Sequence, residues 1–294
     1  MNTFANLGMD THDNTESVTN WNTYATYFSI PMSYEVSCLS NIQIYQAKTD
    51  ITMAMAVRFG FVSALVLTEL FRISRHKVTE FLNKQINKGL LVKVKTQRAP
   101  DGLIYVSTYS GVKFFEDRYR LNVPFRSTAN PIQQVNQNQI FHDTILQYVL
   151  VAMNNRDKPF WSGFVTETEF KRLYPSASIK NVDAVCLNLD GSVAAIEIEN
   201  SFKRKAQHKA TLLKLLPSLK GANRLFDKVF FVSSSHKITN DTKRFHQELL
   251  DELPGQYNRK TKTAELTLED AELLRQKLIY RTKFTDELDA TFYS

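Results

Sequence analysis

Residues 181–199 read Asn181-Val182-Asp183-Ala184-Val185-Cys186-Leu187-Asn188-Leu189-Asp190-Gly191-Ser192-Val193-Ala194-Ala195-Ile196-Glu197-Ile198-Glu199. Two short apolar runs meet across Asp190-Gly191, a strong local signal for a β-hairpin. A three-residue loop, Leu189 to Gly191 with Gly191 in the left-handed conformation, pairs Asn188 with Ser192 and sets Asp183 opposite Glu197. Side chains alternate along a strand, so Asp183, Glu197 and Glu199 then share one face with Val185, Leu187, Val193 and Ala195. That face is apolar except at its rim, which fits a sheet covered by a helix. A two-residue loop would set Asp183 opposite Ile198 instead, and a bulge would be needed to restore the cluster. Three carboxylates at one rim repel one another unless something cationic sits between them. Hard oxygen donors suit Mg2+ or Mn2+, so Asp183, Glu197 and Glu199 are the predicted metal ligands. The competing reading is a hairpin end whose acids are solvated or paired with nearby lysines.

A chain of 294 residues with 43% hydrophobic content can bury one large core or two smaller ones. Cys38 and Cys186 lie far apart and form no metal-ligand spacing, which argues against a disulfide scaffold or a zinc knuckle. No apolar run is long enough to span a bilayer, and the N-terminus lacks the basic-then-apolar order of a signal peptide, so a cytoplasmic location is expected. Nine glycines and no Gly-rich phosphate loop make an NTPase a poor fit. The net charge of +7 is unevenly spread: residues 50–130 carry thirteen Lys/Arg against six Asp/Glu, whereas residues 131–294 carry twenty-three against twenty. The basic excess sits in the middle segment, where a phosphate backbone is expected to dock.

That segment has helical periodicity over Val62 to Phe71, a break at Arg72-Ile73-Ser74, and a second helix capped by Ser74 and running to about Lys88. Val78, Phe81, Leu82 and Ile86 are its predicted buried stripe. Gly89 stops it, Leu90 to Val94 reads as a strand, Pro100-Asp101-Gly102 turns the chain into Leu103 to Thr108, and Ser110 to Arg118 closes the unit as a helix. The string from Ile73 to Leu91 resembles the helix-turn-helix pattern of winged-helix DNA-binding domains. The resemblance implies that Arg75, His76, Lys77, Thr79, Asn83 and Lys84 face phosphates or base edges in a major groove, with Lys93, Lys95 and Arg98 on the wing. Winged helices also serve as protein-docking modules.

Beyond the segment rich in Asn and Gln, apolar residues from Ile132 to Met153 recur at helical spacing and predict a long helix to about Asn154. A strand over Phe160 to Val165 precedes the acidic hairpin. A helix from about Ser201 to Leu216, ended by Pro217, a strand over Asp227 to Ser233 and a helix over Thr239 to Leu250 follow it. The order helix, three strands, helix, strand resembles the core of the restriction-endonuclease-like fold. The expected fold class is therefore an α+β winged helix followed by an α/β domain of that kind. The expected organisation is a mostly flexible segment over 1–45, the winged helix over 46–125, a linker over 126–138 and the nuclease-like domain over 139–294.

A proximal Asp followed by acid-x-Lys or acid-x-acid on the neighbouring strand is the PD-(D/E)xK signature, and Glu197-Ile198-Glu199 has the acid-x-acid form. A winged helix followed by Phe141-His142-Asp143 on a first helix and Asp183…Glu197-x-Glu199 resembles the replication-relaxation family and the MobC class of plasmid relaxases. The resemblance implies a bacterial, Mg2+- or Mn2+-dependent enzyme that nicks duplex DNA at a plasmid transfer or replication origin. It further implies contact with single-stranded DNA and with an accessory mobilisation or coupling protein. The chain departs from the usual motif in two ways: Glu199 stands where a Lys is usual, and Asn181-Val182 precede Asp183.

In that reading Asp183 and Glu197 hold the metal, and Glu199 holds a second metal or orients and deprotonates the attacking water. Lys203, placed at the start of the next helix, stabilises charge on the phosphate. The resemblance puts His142 or Asp143 beside the metal; a helical His beside an apolar stripe is otherwise a hydrogen-bonded core residue. Thr166 with Glu169 fits a capping box, which leaves Glu167 as the further acid of the site. Two other functions compete: a double-strand endonuclease of restriction or transposon type, and a catalytically inactive DNA-binding regulator of replication or transcription.

Overall fold

The computed structural model describes residues 21–33, 39–123, 130–156, 158–258 and 263–293. After a short helix α1 (Ala25–Phe28) comes α2 (Asn41–Arg58), started by a reciprocal capping box between Ser40 and Gln43. Ser63 caps α3 (Ala64–Phe71) and Ser74 caps α4 (Arg75–Asn87), each hydroxyl accepting a backbone N–H from three residues on. Between these helices Arg72 takes a left-handed conformation, φ 51°, that turns the chain. The antiparallel ribbon β1 (Leu91–Lys95) and β2 (Leu103–Ser107) pairs Leu91 with Ser107 and Lys95 with Leu103, and α5 (Tyr109–Tyr119) follows.

Next come α6 (Ile140–Gln147), which runs on as a π-helical turn over Tyr148–Ala152, β3 (Trp161–Thr166) and α7 (Glu167–Leu173). The hairpin is β4 (Ala184–Asn188) and β5 (Val193–Ile198); α8 (Lys205–Leu219), β6 (Lys228–Val232) and α9 (His236–Glu252) continue the chain. A small ribbon β7 (Tyr257–Asn258) and β8 (Thr263–Ala264), then α10 (Leu268–Lys277), β9 (Leu278–Arg281) and α11 (Thr285–Phe292), complete it. The five-stranded mixed sheet has the order β3-β4-β5-β6-β9, antiparallel from β3 to β5 and parallel from β5 to β9.

Both faces of this sheet are buried, and the alternation assigns each residue to one of them. Val185, Val193 and Ala195 pack against Leu212 and Leu215 of α8 and Leu249 of α9. Ala184, Cys186, Ala194 and Ile196 belong instead to a cluster that includes Ile145 of α6 and extends to Met53 of α2 and Val66 and Leu70 of α3. The N-terminal helices and the sheet therefore share one core. Each fully buried Leu or Val in it contributes about 1.5–3 kcal/mol over its exposed state.

Several boundaries differ from expectation. In the described part of the 1–45 segment Tyr24 and Phe28 are buried in the cluster that holds Val185, Leu212 and Leu249, and the Tyr24 hydroxyl donates to the Leu225 carbonyl at 3.0 Å. Gly163 lets that segment approach, since a Cβ there would lie 2.6 Å from the Phe28 carbonyl oxygen. Residues 1–20 and 34–38, with Cys38, lie outside the described residues. Residues 130–138 of the expected linker are docked, with Val135 and Ile140 packing on Phe61, Ile104 and Val106; residues 124–129 lie outside the description. The expected long helix begins only at Ile140, because Asn130-Pro131 starts a separate 3-10 turn. Pro217 lies inside α8 rather than ending it: the lost hydrogen bond is outweighed by burial of Leu215 and Leu219 on either side of it. No helix among the described residues is long and apolar enough to cross a membrane.

Candidate functional site

The hairpin forms with the three-residue loop. Asn188 N–H donates to the Ser192 carbonyl at 2.9 Å, Gly191 has φ 80°, and Leu187 pairs with Val193 and Ala184 with Ile196. Asp183, one residue before β4, thus lies opposite Glu197. Its Oδ2 accepts the Ile198 N–H at 2.7 Å, and its own carbonyl accepts the Glu167 N–H at 3.0 Å. Glu167 is the first residue of α7, so the acid foreseen ahead of the hairpin stands beside Asp183.

Each hairpin acid has a cation of its own. His142 on α6 places Nε2 3.3 Å from Asp183 Oδ2 and Nδ1 3.3 Å from Asp143 Oδ1. Lys180 Nζ donates to Glu197 Oε1 at 2.8 Å and to the Asn181 carbonyl at 2.8 Å. Lys203 Nζ donates to Glu199 Oε1 at 2.7 Å, while Glu199 Oε2 is buried without a hydrogen-bond partner. Among the described residues no group of three or more His, Cys, Asp or Glu side chains is placed to hold a metal ion. The charge compensation that the sequence assigned to a metal is supplied here by side chains. A cavity of about 40 Å³ opens beside Asp183, lined by His142, Asp143 and Glu167 and closed by Arg58 and Phe59 from the end of α2.

The electrostatics follow from burial and from carboxyl groups outnumbering cations five to three among Asp143, Glu167, Asp183, Glu197, Glu199, His142, Lys180 and Lys203. Burial and the neighbouring Asp183 push Glu197 up to about 8, more than the Lys180 ammonium can offset. Burial likewise raises Glu199, Glu167 and Asp143. Asp183 is held below the usual carboxylate range: burial opposes its ionisation, but the His142 hydrogen bond and charge, then Lys180 and the Ile198 N–H, prevail. His142 is driven up to about 11 because its bonds to Asp143 and Asp183 overcome burial, so both ring nitrogens carry protons. Lys180 is raised although it is buried, since Glu197, Asp183 and Glu167 all favour its charge. The raised Glu197 and the raised Lys180 are consistent: one cation faces several acids.

Lys203 lies two residues before α8, not in it, because the helix starts only after Arg204. Glu169 is structural, closing the capping box with Thr166 and accepting Arg58 Nε at 2.8 Å. Lys180 went unnoticed in the sequence although it precedes the hairpin by only a few residues. A second feature had no local signal at all. His208 Nδ1 lies 3.1 Å from His246 Nε2, and His246 Nδ1 lies 2.7 Å from the Tyr280 hydroxyl. His208 also hydrogen-bonds the Lys203 backbone, which ties this buried chain to the loop carrying Lys203. Burial, His208 and Lys203 together hold His246 down at about 3, so it is neutral.

On the N-terminal module Lys77, Asn83 and Lys84 of α4 and Lys93, Lys95 and Arg98 of the ribbon are exposed. Three other residues of that predicted interface have internal partners. Arg75 Nη2 donates to Asp101 Oδ2 at 2.6 Å, His76 Nε2 lies 3.2 Å from Glu80, and the Thr79 hydroxyl donates to the Arg75 carbonyl at 2.9 Å. Compared with protein-family models, with curated proteins and with solved structures, the chain finds no match.

Proposed function

We propose that the protein is a DNA strand-nicking enzyme in which α2 to α5 with the β1–β2 ribbon act as a winged helix. The sheet with α6 and α8 then acts as a restriction-endonuclease-like domain of the PD-(D/E)xK kind. The observation that carries the proposal is the buried meeting of Asp183, Glu197 and Glu199 with His142, Lys180 and Lys203 at the end of one hairpin. Perturbed ionisation of several groups around a small cavity is what acid–base chemistry on a substrate requires.

The donor set is compatible with Mg2+ or Mn2+: the groups are hard oxygens, and Glu199 Oε2 is a buried acceptor with an unused lone pair. Asp183 and Glu197 would hold the metal in place of their present His142 and Lys180 partners, and it would supply a Lewis acid for a phosphoryl oxygen and an acidified water. The chain's own residues divide the rest. His142, fixed by Asp143, orients the Asp183 carboxylate. Glu199 Oε2 accepts a proton from an incoming water. Lys203 Nζ balances negative charge that develops on the phosphate, standing in for the usual motif lysine. The family reading, a replication-relaxation or MobC-class relaxase acting at a plasmid origin with an accessory coupling protein, is part of the same proposal.

The pairing of each acid with its own cation favours a second reading, a DNA-binding protein whose nuclease-like domain is inert. Incubating supercoiled plasmid that carries the protein's own flanking DNA with Mg2+ or Mn2+ separates the two. Open circles that disappear in Asp183→Ala and Glu197→Ala support the nicking enzyme. Linear product indicates a double-strand endonuclease, and tight binding without cleavage in all three proteins leaves the binding protein.

A further inference from the structure

We infer that the groove between the first half of α2 and one flank of α4 is a seat for the backbone phosphates of a bound nucleic acid, with Lys48 of α2 contacting them beside Lys77 and Lys84. This rests on the DNA-binding reading above and adds to it a second helix and a direction of docking.

The groove encloses about 320 Å³. From α2 it receives Ile44, Tyr45 and Lys48, and from α4 it receives Lys77, Phe81 and Lys84. Ile44 and Tyr45 lie four and three residues before Lys48, and Lys77, Phe81 and Lys84 are four, three and seven apart, spacings that keep side chains on one face of a helix. Its floor is fixed: Tyr45 meets Phe81 edge-on with ring centroids 5.7 Å apart, and the Tyr45 hydroxyl accepts from Gln85 Nε2 at 3.0 Å. At the far end Lys88 Nζ stands 4.7 Å from the Tyr45 ring centroid.

Lys48, Lys77 and Lys84 line the groove, and Lys48 Nζ lies 5.2 Å from the Phe71 ring centroid. Glu80 is the one acid among the lining residues, and it is engaged with His76 at 3.2 Å. Lys48 is partly buried, and burial and the nearby Lys77 charge both disfavour its protonated form. Lys77, Lys84 and Lys88 form a row roughly 16 Å long at 1.5 Å per residue. That row spans several phosphates of one strand, which recur about every 3.4 Å along the axis. On α4 the row lies between the buried stripe of Val78, Phe81, Leu82 and Gln85 and the outermost stripe of His76, Asn83 and Asn87. A helix whose outermost stripe enters a major groove brings such a flank against the bounding strand. The charge row and its length favour a phosphate strand over an acidic peptide.

The test is duplex DNA binding as a function of salt for the wild type, Lys48→Gln, Lys48→Arg and, as a control on the exposed side of α9, Lys243→Gln. Lys48→Gln is expected to weaken binding about three- to tenfold at low salt and to flatten the log–log salt slope by about 0.9. Lys48→Arg and Lys243→Gln should behave as wild type, and the thermal midpoint of Lys48→Gln should not move. A wild-type slope and affinity in Lys48→Gln, with the wild type binding DNA, overturns the seat and leaves the DNA-binding reading standing. A wild type that binds no DNA at low salt overturns that reading and the seat with it. Tighter binding of a poly-glutamate peptide than of DNA, lost in Lys48→Gln, overturns the phosphate assignment.

Discussion

The end of the β4–β5 hairpin and the outer side of α4 carry charge in opposite ways. At the hairpin, Glu197 and Glu199 have side chains only 3% exposed, and each carboxylate reaches a cation within hydrogen-bonding or ion-pair distance. Around α4, Lys77 and Lys84 are exposed, and the His76 side chain keeps 82% of its surface. A buried charge must be compensated inside the protein or it neutralises, whereas an exposed one can wait for a ligand. Removing a hairpin charge should therefore cost stability as well as the proposed activity. Removing Lys77, Lys84 or a ribbon lysine should cost only binding.

The largest effect is expected at Asp183. Asp183→Ala strips His142 of one partner and leaves the Ile198 N–H unpaired, at a cost of about 3 kcal/mol in urea unfolding, together with loss of the proposed nicking. Asp183→Asn retains an acceptor for Ile198 and should cost less. If Asp183→Ala unfolds at the wild-type midpoint, the site behaves like the surface and the comparison fails.

The next effect depends on pH. His246 is held at about 3, below its ordinary 6.5, so the unfolded chain takes up a proton that the folded one refuses. Stability from this group is full above pH 6.5 and is lost as pH falls toward 3, at up to ~1.4 kcal/mol per pH unit. Subtracting the stability of His246→Gln cancels the carboxylates that titrate in the same range. That difference should shrink by about 1.6 kcal/mol between pH 6.5 and pH 5. A difference flat in pH would show that His246 is charged or solvent-accessible in the folded protein.

How much of this was legible differs between the two regions for the same reason. The helices, caps and ribbon around α4 are set by residues three or four apart, so Ser74, Gly89 and Pro100-Asp101-Gly102 announce them. The hairpin was equally local, announced by Asp190-Gly191, but that turn left two registers open, and the pairing of Leu187 with Val193 selects the one that sets Asp183 opposite Glu197. The partners of those acids were not local. His142 lies 41 residues from Asp183, and the His208–His246–Tyr280 chain joins α8, α9 and β9, so only tertiary packing brings them together. The docking of Tyr24 and Phe28 in the cluster around Val185 and Leu212 was hidden likewise, since those partners lie more than a hundred residues away.

A smaller effect tests the hairpin itself. Gly191 has φ 80° with nothing within 4 Å of the position a Cβ would take, so Gly191→Ala bears only the backbone cost, about 1 kcal/mol. A loss well above that would mean the loop sets more than the register, with the Asp183–Glu197 juxtaposition strained as well.

The smallest effect on stability is expected on the ribbon, and it carries the opposite side of the comparison. Lys93 and Lys95 are exposed on β1, alternating with the half-buried Val92 and Val94 that pack toward Phe61 and Ile104. The double variant Lys93→Gln, Lys95→Gln leaves that packing untouched, so its unfolding midpoint should stay within about 0.5 kcal/mol of wild type. If both ammonium groups lie on phosphates, its log–log salt slope for duplex DNA should flatten by about 1.8, near 0.9 for each. A change in stability without a change in slope would assign the two lysines to the fold. A change in slope without a change in stability would leave the ribbon, unlike the hairpin, carrying charge for a ligand alone.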